Sequence, residues 1–191
     1  MNLQYFGDSY DIVKKSLLHW LSDFGPWIAH PMFTHATRPE EVKRFARFLG
    51  VRLISTEVLM SDSDRDQYFA CCRLYSHSLF LDPDTGIRLK AGKDSRAPEY
   101  VFADELSRLT QERPGALTLT FDQSLQRGNE ESPVRKKLQH FKGCGLHGFS
   151  YFSHTSFVLL GNNAALVNRA RQQLLAQSGL PDWRILRSDN S

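Results

Sequence analysis

The sequence has few cysteines, no long apolar run and no large excess of either charge. Its three cysteines, Cys71, Cys72 and Cys144, fit neither a disulfide framework nor a CxxC metal spacing, so reduced structural thiols and no metal are expected. The apolar run 157–160 is far shorter than the roughly 20 residues of a membrane-spanning helix. Residues 1–11 lack the basic start and apolar block of a secretory signal, which favours the cytoplasm.

Several nucleotide-binding and hydrolase motifs are also missing. There is no GxGxxG turn, no GxxxxGK[ST] loop and no GxSxG elbow, so the sequence predicts no nucleotide cradle and no cofactor. His30 and His35 are five residues apart across Pro31, a spacing that does not match a helical metal pair. Lys and Arg number 24 against 21 Asp and Glu, and the resulting charge of +3 permits a polyanionic partner without requiring one.

What is present is an alternation of helix-like and strand-like segments. Helical periodicity or capping signals predict helices over 11–24, 37–49, 67–73, 98–111, 133–141 and 163–176. Apolar or alternating runs predict strands over 27–33, 51–60, 78–81, 117–121, 149–160 (one strand or a hairpin) and 183–186. We therefore predict one α/β domain over residues 1–191, a three-layer α/β/α arrangement with a largely parallel central sheet.

Polar side chains follow several of these strands. In such sheets the ligand crevice lies outside the carboxyl ends of the strands. The side chains expected there are catalytic Asp82, Asp84 and His154, and substrate-binding Asp122, Gln123, Ser156, Phe80 and Tyr151. Ordinary turn residues, a hydrogen-bonded core histidine and core aromatic residues are the structural alternatives for the same positions.

Basic residues accompany the acidic strand ends. Lys90, Lys93 and Arg96 follow the first acidic turn, and Arg127 follows Asp122 and Gln123. Lys and Arg near a substrate crevice can contact the phosphates of a nucleic acid, so DNA is the expected partner. A solvated surface explains any single basic cluster equally well.

Three short blocks carry a resemblance to known proteins. Tyr5-Phe6-Gly7-Asp8, the block 81–86 and the block 153–157 look like those of an uncharacterised bacterial family, which implies no activity. The Asp-Pro segment and the later His-Thr-Ser segment are similar in arrangement to the uracil-DNA glycosylase superfamily of α/β/α enzymes. That resemblance implies that Asp82 or Asp84 assists water and stabilises the sugar cation, and that His154 polarises the base.

The expected function is thus a metal-independent DNA N-glycosylase that acts on a flipped base. By resemblance only, its context would be modified bases in phage DNA and host defence. Two alternatives stay open. One is an S-adenosylmethionine-dependent methyltransferase-like domain, since base-modifying members carry a strand end similar to Asp82-Pro83-Asp84. The other is a noncatalytic protein that binds nucleic acid or another partner.

Overall fold

The computed structural model describes residues 1–125 and 128–187 and centres on a seven-stranded sheet. The strand order in this sheet is β2-β1-β3-β6-β8-β7-β9, and β4 pairs with β5 in a separate two-stranded sheet. The strands are β1 (Trp27–His30), β2 (Arg52–Leu53), β3 (Ser78–Leu81), β4 (Gly86–Arg88), β5 (Tyr100–Phe102), β6 (Thr118–Asp122), β7 (His147–Phe152), β8 (Ser156–Gly161) and β9 (Ile185–Arg187).

Most strands of the main sheet run in the same direction. The pairs β2–β1, β1–β3 and β3–β6 are parallel, whereas β8 is antiparallel to both β6 and β7, and β9 is antiparallel to β7. Five of the seven strands (β2, β1, β3, β6 and β7) therefore share one direction. The carboxyl ends of β1, β3 and β6 meet at one edge of the sheet.

Helices cover both faces of the sheet. On one face α1, α2 and α7 pack through residues such as Leu17, Phe45 and Leu174. On the other face α3 to α6 pack through Tyr68, Leu106 and Leu138 among others, so the predicted three-layer α/β/α fold is confirmed. The helices are α1 (Ser9–Trp20), α2 (Pro39–Leu49), α3 (Arg65–Tyr68), α4 (Ala70–Arg73), α5 (Ala103–Gln111), α6 (Glu131–Gly143) and α7 (Ala164–Ser178).

The ends of α2 show how closely local sequence sets an element. Pro39 is the first residue of the helix, where the amide proton that proline lacks would have no partner within the helix. The carboxylate of Glu41 accepts a hydrogen bond from the Arg38 amide at 3.1 Å. Gly50 ends the helix with φ +73°, a conformation that favours glycine.

Several predicted elements differ from the structure in their bounds, and one open prediction is resolved. The strand over 51–60 shrinks to Arg52–Leu53 plus one bridge between Phe33 and Val58, because this edge segment finds little backbone to pair with. The helix over 98–111 begins only at Ala103, since Tyr100–Phe102 pairs with β4 instead. The segment 149–160 is a hairpin, the second of the two forms expected for it.

Candidate active site

A pocket of about 270 Å³ opens at the carboxyl ends of β3 and β6, beside the start of α1. This is the edge of the sheet at which the sequence predicts a site. Its wall combines carboxylates, an ammonium group, aromatic rings and amides from three separate parts of the chain. The groups that matter most for its chemistry are Asp8, Asp84, Lys14, Tyr10, Phe121 and Gln123.

The Asp82-Pro83-Asp84 segment leaves β3 at the pocket. Side chains alternate along a strand, so Phe80 packs on the α1 side while Leu81 packs on the other face. Asp82 continues on the α1 side and is fully buried behind the pocket wall. Asp84 lines the pocket itself, with a side chain that is 28% exposed. The two predicted catalytic aspartates thus have different environments.

The opposite wall comes from the first turns of α1. The Asp8 carboxylate accepts a hydrogen bond from the Asp11 amide at 3.0 Å and caps the helix. The Asp11 carboxylate in turn accepts one from the Gly7 amide at 2.8 Å. Asp11, Lys14 and Leu17 recur every three residues, so α1 directs two charged groups along with its apolar side chains toward the sheet.

Lys14 joins α1 to the end of β3 through a buried ion cluster. Its Nζ lies 2.9 Å from Asp11 Oδ1, and 2.9 Å and 3.0 Å from the two carboxylate oxygens of Asp82. The same Nζ lies 4.6 Å from the centre of the Phe121 ring. Asp11 and Lys14 are only 1% and 3% exposed. Two carboxylates around one ammonium leave a formal excess of one negative charge when all three are ionised.

Burial acts differently on the two sides of this cluster. For Asp82, burial raises the pKa of the carboxyl and outweighs the opposing attraction of Lys14. For Lys14, burial opposes the charge, but the combined attraction of Asp82 and Asp11 raises the pKa of the ammonium group. The N-terminal ammonium of Met1 also opposes the effect of burial on Asp82, but burial still dominates there. Lys14 therefore stays protonated at neutral pH.

Gln123 and two aromatic rings complete the pocket. The Gln123 side-chain amide donates to the Asp84 carbonyl at 2.8 Å, and the Gln123 backbone amide donates to the Thr85 carbonyl at 3.0 Å. These bonds fasten the 82–85 segment to the end of β6. The rings of Tyr10 and Phe121 lie 5.7 Å apart and are tilted to one another. Gln123 is thus in the pocket, as the sequence predicts.

Asp122 ends β6 beside the pocket, but its side chain lies on the opposite face of the sheet. There its Oδ2 is 2.5 Å from Lys137 Nζ, and its Oδ1 accepts from the Ile87 amide at 3.0 Å and the Ser124 hydroxyl at 2.5 Å. The reason is strand alternation, since Phe121 faces the pocket and the next residue must face away. Asp122 therefore does not line this pocket.

The 153–157 block, which the sequence predicts at the site, does not line the pocket either. His154 lies in the turn between β7 and β8, is exposed to solvent and does not line the pocket. Ser156 is fully buried within the sheet, its hydroxyl 2.6 Å from that of Ser150. The Thr155 hydroxyl donates to the Asp122 carbonyl at 3.0 Å and fixes the turn at this edge of the sheet.

Neither of the two aromatic residues expected to stack on a base lines the pocket. Phe80 is fully buried among the residues that pack against α1. Tyr151 stacks on Phe157, with ring centres 6.2 Å apart and planes 21° apart, and does not line the pocket. Both residues lie on interior strands that helices cover, so their rings pack between the sheet and the helices. Tyr10 and Phe121 supply the aromatic wall in their place.

The predicted phosphate-binding residues lie in the loop that connects β4 to β5. Lys90 and Lys93 are exposed, and Arg96 is paired with Glu99 at 2.8 Å. Glu99 also accepts a hydrogen bond from the Thr85 hydroxyl at 2.9 Å, so this loop adjoins the 82–85 segment of the pocket. Arg127 lies outside the described residues.

The sequence reasoning missed the pocket residues that α1 provides. Asp11 and Lys14 lie on the same helix face as Leu17, Leu18 and Leu21, a placement visible from their spacing alone. Charged residues on the apolar face of a helix need buried partners. That signal, applied to 9–20, would have identified them.

Comparison of the chain with protein-family models, curated proteins and solved structures finds no match. Among the helices of residues 1–125 and 128–187, none has the length and apolar composition needed to cross a bilayer. The side chains that line the pocket are therefore the basis for a functional proposal.

Proposed function

We propose that this protein is a metal-independent hydrolase that cleaves the N-glycosidic bond of a base turned out of DNA into the pocket beside α1. The observation that carries the proposal is the carboxylate of Asp84, which lines a pocket of about 270 Å³ together with the rings of Tyr10 and Phe121. Carboxylates stabilise the oxocarbenium-like state of glycosidic cleavage. Aromatic rings and amide groups hold and read an extruded base.

The reaction breaks the bond between C1′ of the sugar and a base nitrogen, and the electron pair leaves with the base. The Asp84 carboxylate would stabilise the positive charge on C1′ and take one proton from the attacking water, whose oxygen bonds to C1′. The leaving base needs a proton or a hydrogen bond, and the phenol groups of Tyr5 and Tyr10 are the hydroxyl donors of the wall. In this scheme the donor is a tyrosine and not His154.

The buried ion cluster supports this chemistry electrostatically. When both carboxylates are ionised, Lys14 offsets only one of the charges of Asp11 and Asp82, so the cluster behind the pocket is then negative. In a low-dielectric wall a negative charge favours a developing cation. On the pocket side, the Met1 ammonium lies 3.8 Å from Asp84 Oδ1.

The size of the pocket discriminates between the open alternatives. Pockets for drug-sized ligands measure roughly 300–1,000 Å³. A volume of about 270 Å³ suits a base with part of its sugar better than a whole S-adenosylmethionine. β1 also ends at His30 and is followed by Pro31 and Met32 in place of the glycine-rich loop such a cofactor requires.

The DNA backbone would lie along the loop between β4 and β5. Lys90 and Lys93 are exposed there, next to the segment that carries Asp84. Exposed lysines that contact phosphates provide affinity without sequence specificity. Base selection would then depend on the pocket, in particular on Gln123 and Tyr10.

Release of free base from a panel of unmodified and hypermodified genomic DNAs tests the proposal. Released bases are identified by mass spectrometry and abasic sites are counted in the same samples. We expect base release from at least one DNA, and a loss of about 100-fold or more in Asp84→Asn, the range typical of a removed acid-base group. DNA affinity should be largely unchanged in that variant.

Asp104→Asn is the matched control, because Asp104 lies on α5 with a side chain that is 78% exposed. It should retain the full rate. Equal rates in Asp84→Asn and the control would contradict the role of Asp84. DNA binding without release of base from any DNA of the panel would identify a noncatalytic binding protein instead.

A further inference from the structure

His30, Cys71 and Cys72 form a cluster on the face of the sheet opposite the pocket. One ring nitrogen of His30 and the two sulfurs all lie within 4.8 Å of one another. His30 is the last residue of β1, and the cysteines are central in α4. The proposed hydrolysis uses none of these three side chains.

The imidazole of His30 is buried with one nitrogen unsatisfied. His30 has no exposed surface, and among the described residues its Nε2 has no hydrogen-bond partner. Its Nδ1 accepts a hydrogen bond from the Met32 amide at 3.3 Å. The rings of Tyr68 and Phe69 pack around it, with centres 4.8 Å and 5.6 Å away. A buried polar group without a partner is unfavourable, and a ligand at Nε2 would remove that cost.

We propose that His30, Cys71 and Cys72 bind a zinc ion. Nitrogen and sulfur are the donors that Zn²⁺ prefers, and tetrahedral coordination places them about 3.5–3.8 Å apart. The observed upper limit of 4.8 Å therefore requires only a small contraction around the ion. Two thiolates and a neutral imidazole also balance the charge of a divalent cation, which a buried site needs.

Access to the site follows from the exposure of its ligands. Cys72 is fully buried, whereas Cys71 is partly exposed and provides a route from solvent. The cluster contains three ligands among the described His, Cys, Asp and Glu side chains, which leaves one tetrahedral position for water.

Zinc binding has a local structural consequence. Coordination through Nε2 moves the ring proton of His30 to Nδ1, which then cannot accept from the Met32 amide. The 3.3 Å hydrogen bond must therefore break. Met32 already has φ +47°, an uncommon conformation for a residue other than glycine, so its turn is the segment expected to shift.

Cobalt and zinc titration of the reduced, metal-free protein tests the proposal. We expect about one Co²⁺ per chain, with the near-ultraviolet absorption of thiolate-cobalt bonds, displaced on addition of Zn²⁺. Loss of a residue that supports a metal ligand typically lowers metal affinity 10- to 100-fold. Because Cys71 is itself a proposed ligand, Cys71→Ser should lower the affinity for Zn²⁺ about 100-fold or more. The Met32 amide resonance should shift on saturation.

Cys144→Ser is the matched control, because Cys144 is also partly exposed and its sulfur is 3.8 Å from a histidine nitrogen, that of His140. It should bind Zn²⁺ like the parent. Circular dichroism checks the fold of each variant, and the partly exposed Cys71 is the position that tolerates serine best. Unchanged zinc affinity in a folded Cys71→Ser, a cobalt spectrum without sulfur bands or a static Met32 resonance would each overturn the proposal.

Discussion

Asp82 and Asp122 end neighbouring parallel strands, yet their carboxylates lie on opposite faces of the sheet. Asp82 meets Lys14 of α1, and Asp122 meets Lys137 of α6. Each strand end is thus tied to a different helix layer by its own buried ion pair. Only the first of these pairs borders the pocket, so Asp122 is a structural residue and Asp84 carries the proposed chemistry.

Replacement of Lys14 should strongly destabilise the fold. Lys14→Met leaves the buried carboxylates of Asp11 and Asp82 without their cation, and loss of one member of a buried ion pair typically costs about 3–5 kcal/mol. Urea unfolding should measure a loss of that size, reversed in part by adding Asp82→Asn, since Asp11 stays without its cation. Lys15→Met, one residue along and exposed, is the control and should change little. Equal stability of the two single variants would contradict the role given to Lys14.

The stability of the protein should fall in alkaline solution for the same reason. The pKa of Lys14 in the folded state is raised above its ordinary value of 10.5. The folded chain then binds more protons than the unfolded chain between these two values, so the unfolding free energy falls as pH rises through the folded-state pKa. Urea unfolding of the parent at increasing pH should show this loss. Lys14→Met should lack it, and parallel pH profiles would refute the assignment.

Gly86 should not tolerate a side chain. A Cβ at this position would lie 2.2 Å from Asp122 Oδ1, and its φ of +136° is itself unfavourable for other residues. We expect Gly86→Ala to lower the unfolding free energy by several kcal/mol, combining backbone strain with the break-up of a buried ion pair. Gly115→Ala, with φ +79° and open space around the Cβ, isolates the strain and should cost about 1–3 kcal/mol. A similar cost at both positions would contradict this reading.

His154 and Tyr10 should differ in their effect on base release. His154→Ala removes an exposed turn residue outside the pocket, so the rate should be unchanged. Tyr10→Ala removes part of the aromatic wall, and loss of base stacking worth about 1–3 kcal/mol should raise KM roughly 5- to 150-fold. A fall in kcat as well would identify Tyr10, and not Tyr5, as the donor to the leaving base. Steady-state kinetics on the most active DNA measures both. A large loss in His154→Ala with normal Tyr10→Ala kinetics would reverse the assignment.

The lysines beside the pocket should govern the salt dependence of DNA binding. In Lys90→Glu combined with Lys93→Glu, fewer phosphates are neutralised, and the slope of log affinity against log salt should decrease by about 0.9 per lost contact. Lys136→Glu, an exposed change on α6, is the control. Fluorescence anisotropy over a salt series gives the slopes. Identical slopes for the parent and the double variant would place the DNA elsewhere.

The fold was predictable because helix and strand periodicities are strong in this chain. The same patterns located Asp84 and Gln123 at the pocket, since strand ends meet at one edge of the sheet. They could not show which face of the sheet the Asp122 side chain lies on, because a shift of one residue in the end of the strand moves a side chain to the other face. The resemblance likewise suggested His154 without information on which way its turn would face.

Sequence patterns could not predict which side chains tertiary packing brings into contact. The spacing of Lys14 with Leu17 places it on the apolar face of α1, but its pairing with Asp82 depends on how that face docks on the sheet. His30 approaches the two cysteines because the carboxyl end of β1 packs against the 68–72 segment. No local spacing encodes such a meeting, and the adjacent cysteines match no common zinc motif.

The Lys14–Asp82 contact also bears on how the pocket forms during folding. It joins residues 68 positions apart, and α1 must dock on a sheet whose next strands come later in the chain. Closing such a long loop is entropically unfavourable, and the ion pair offsets that cost only when α1 and the end of β3 have both formed. A partly folded molecule could keep most of its sheet and still have no pocket. Recovery of the proposed base release during refolding should consequently trail the recovery of secondary structure.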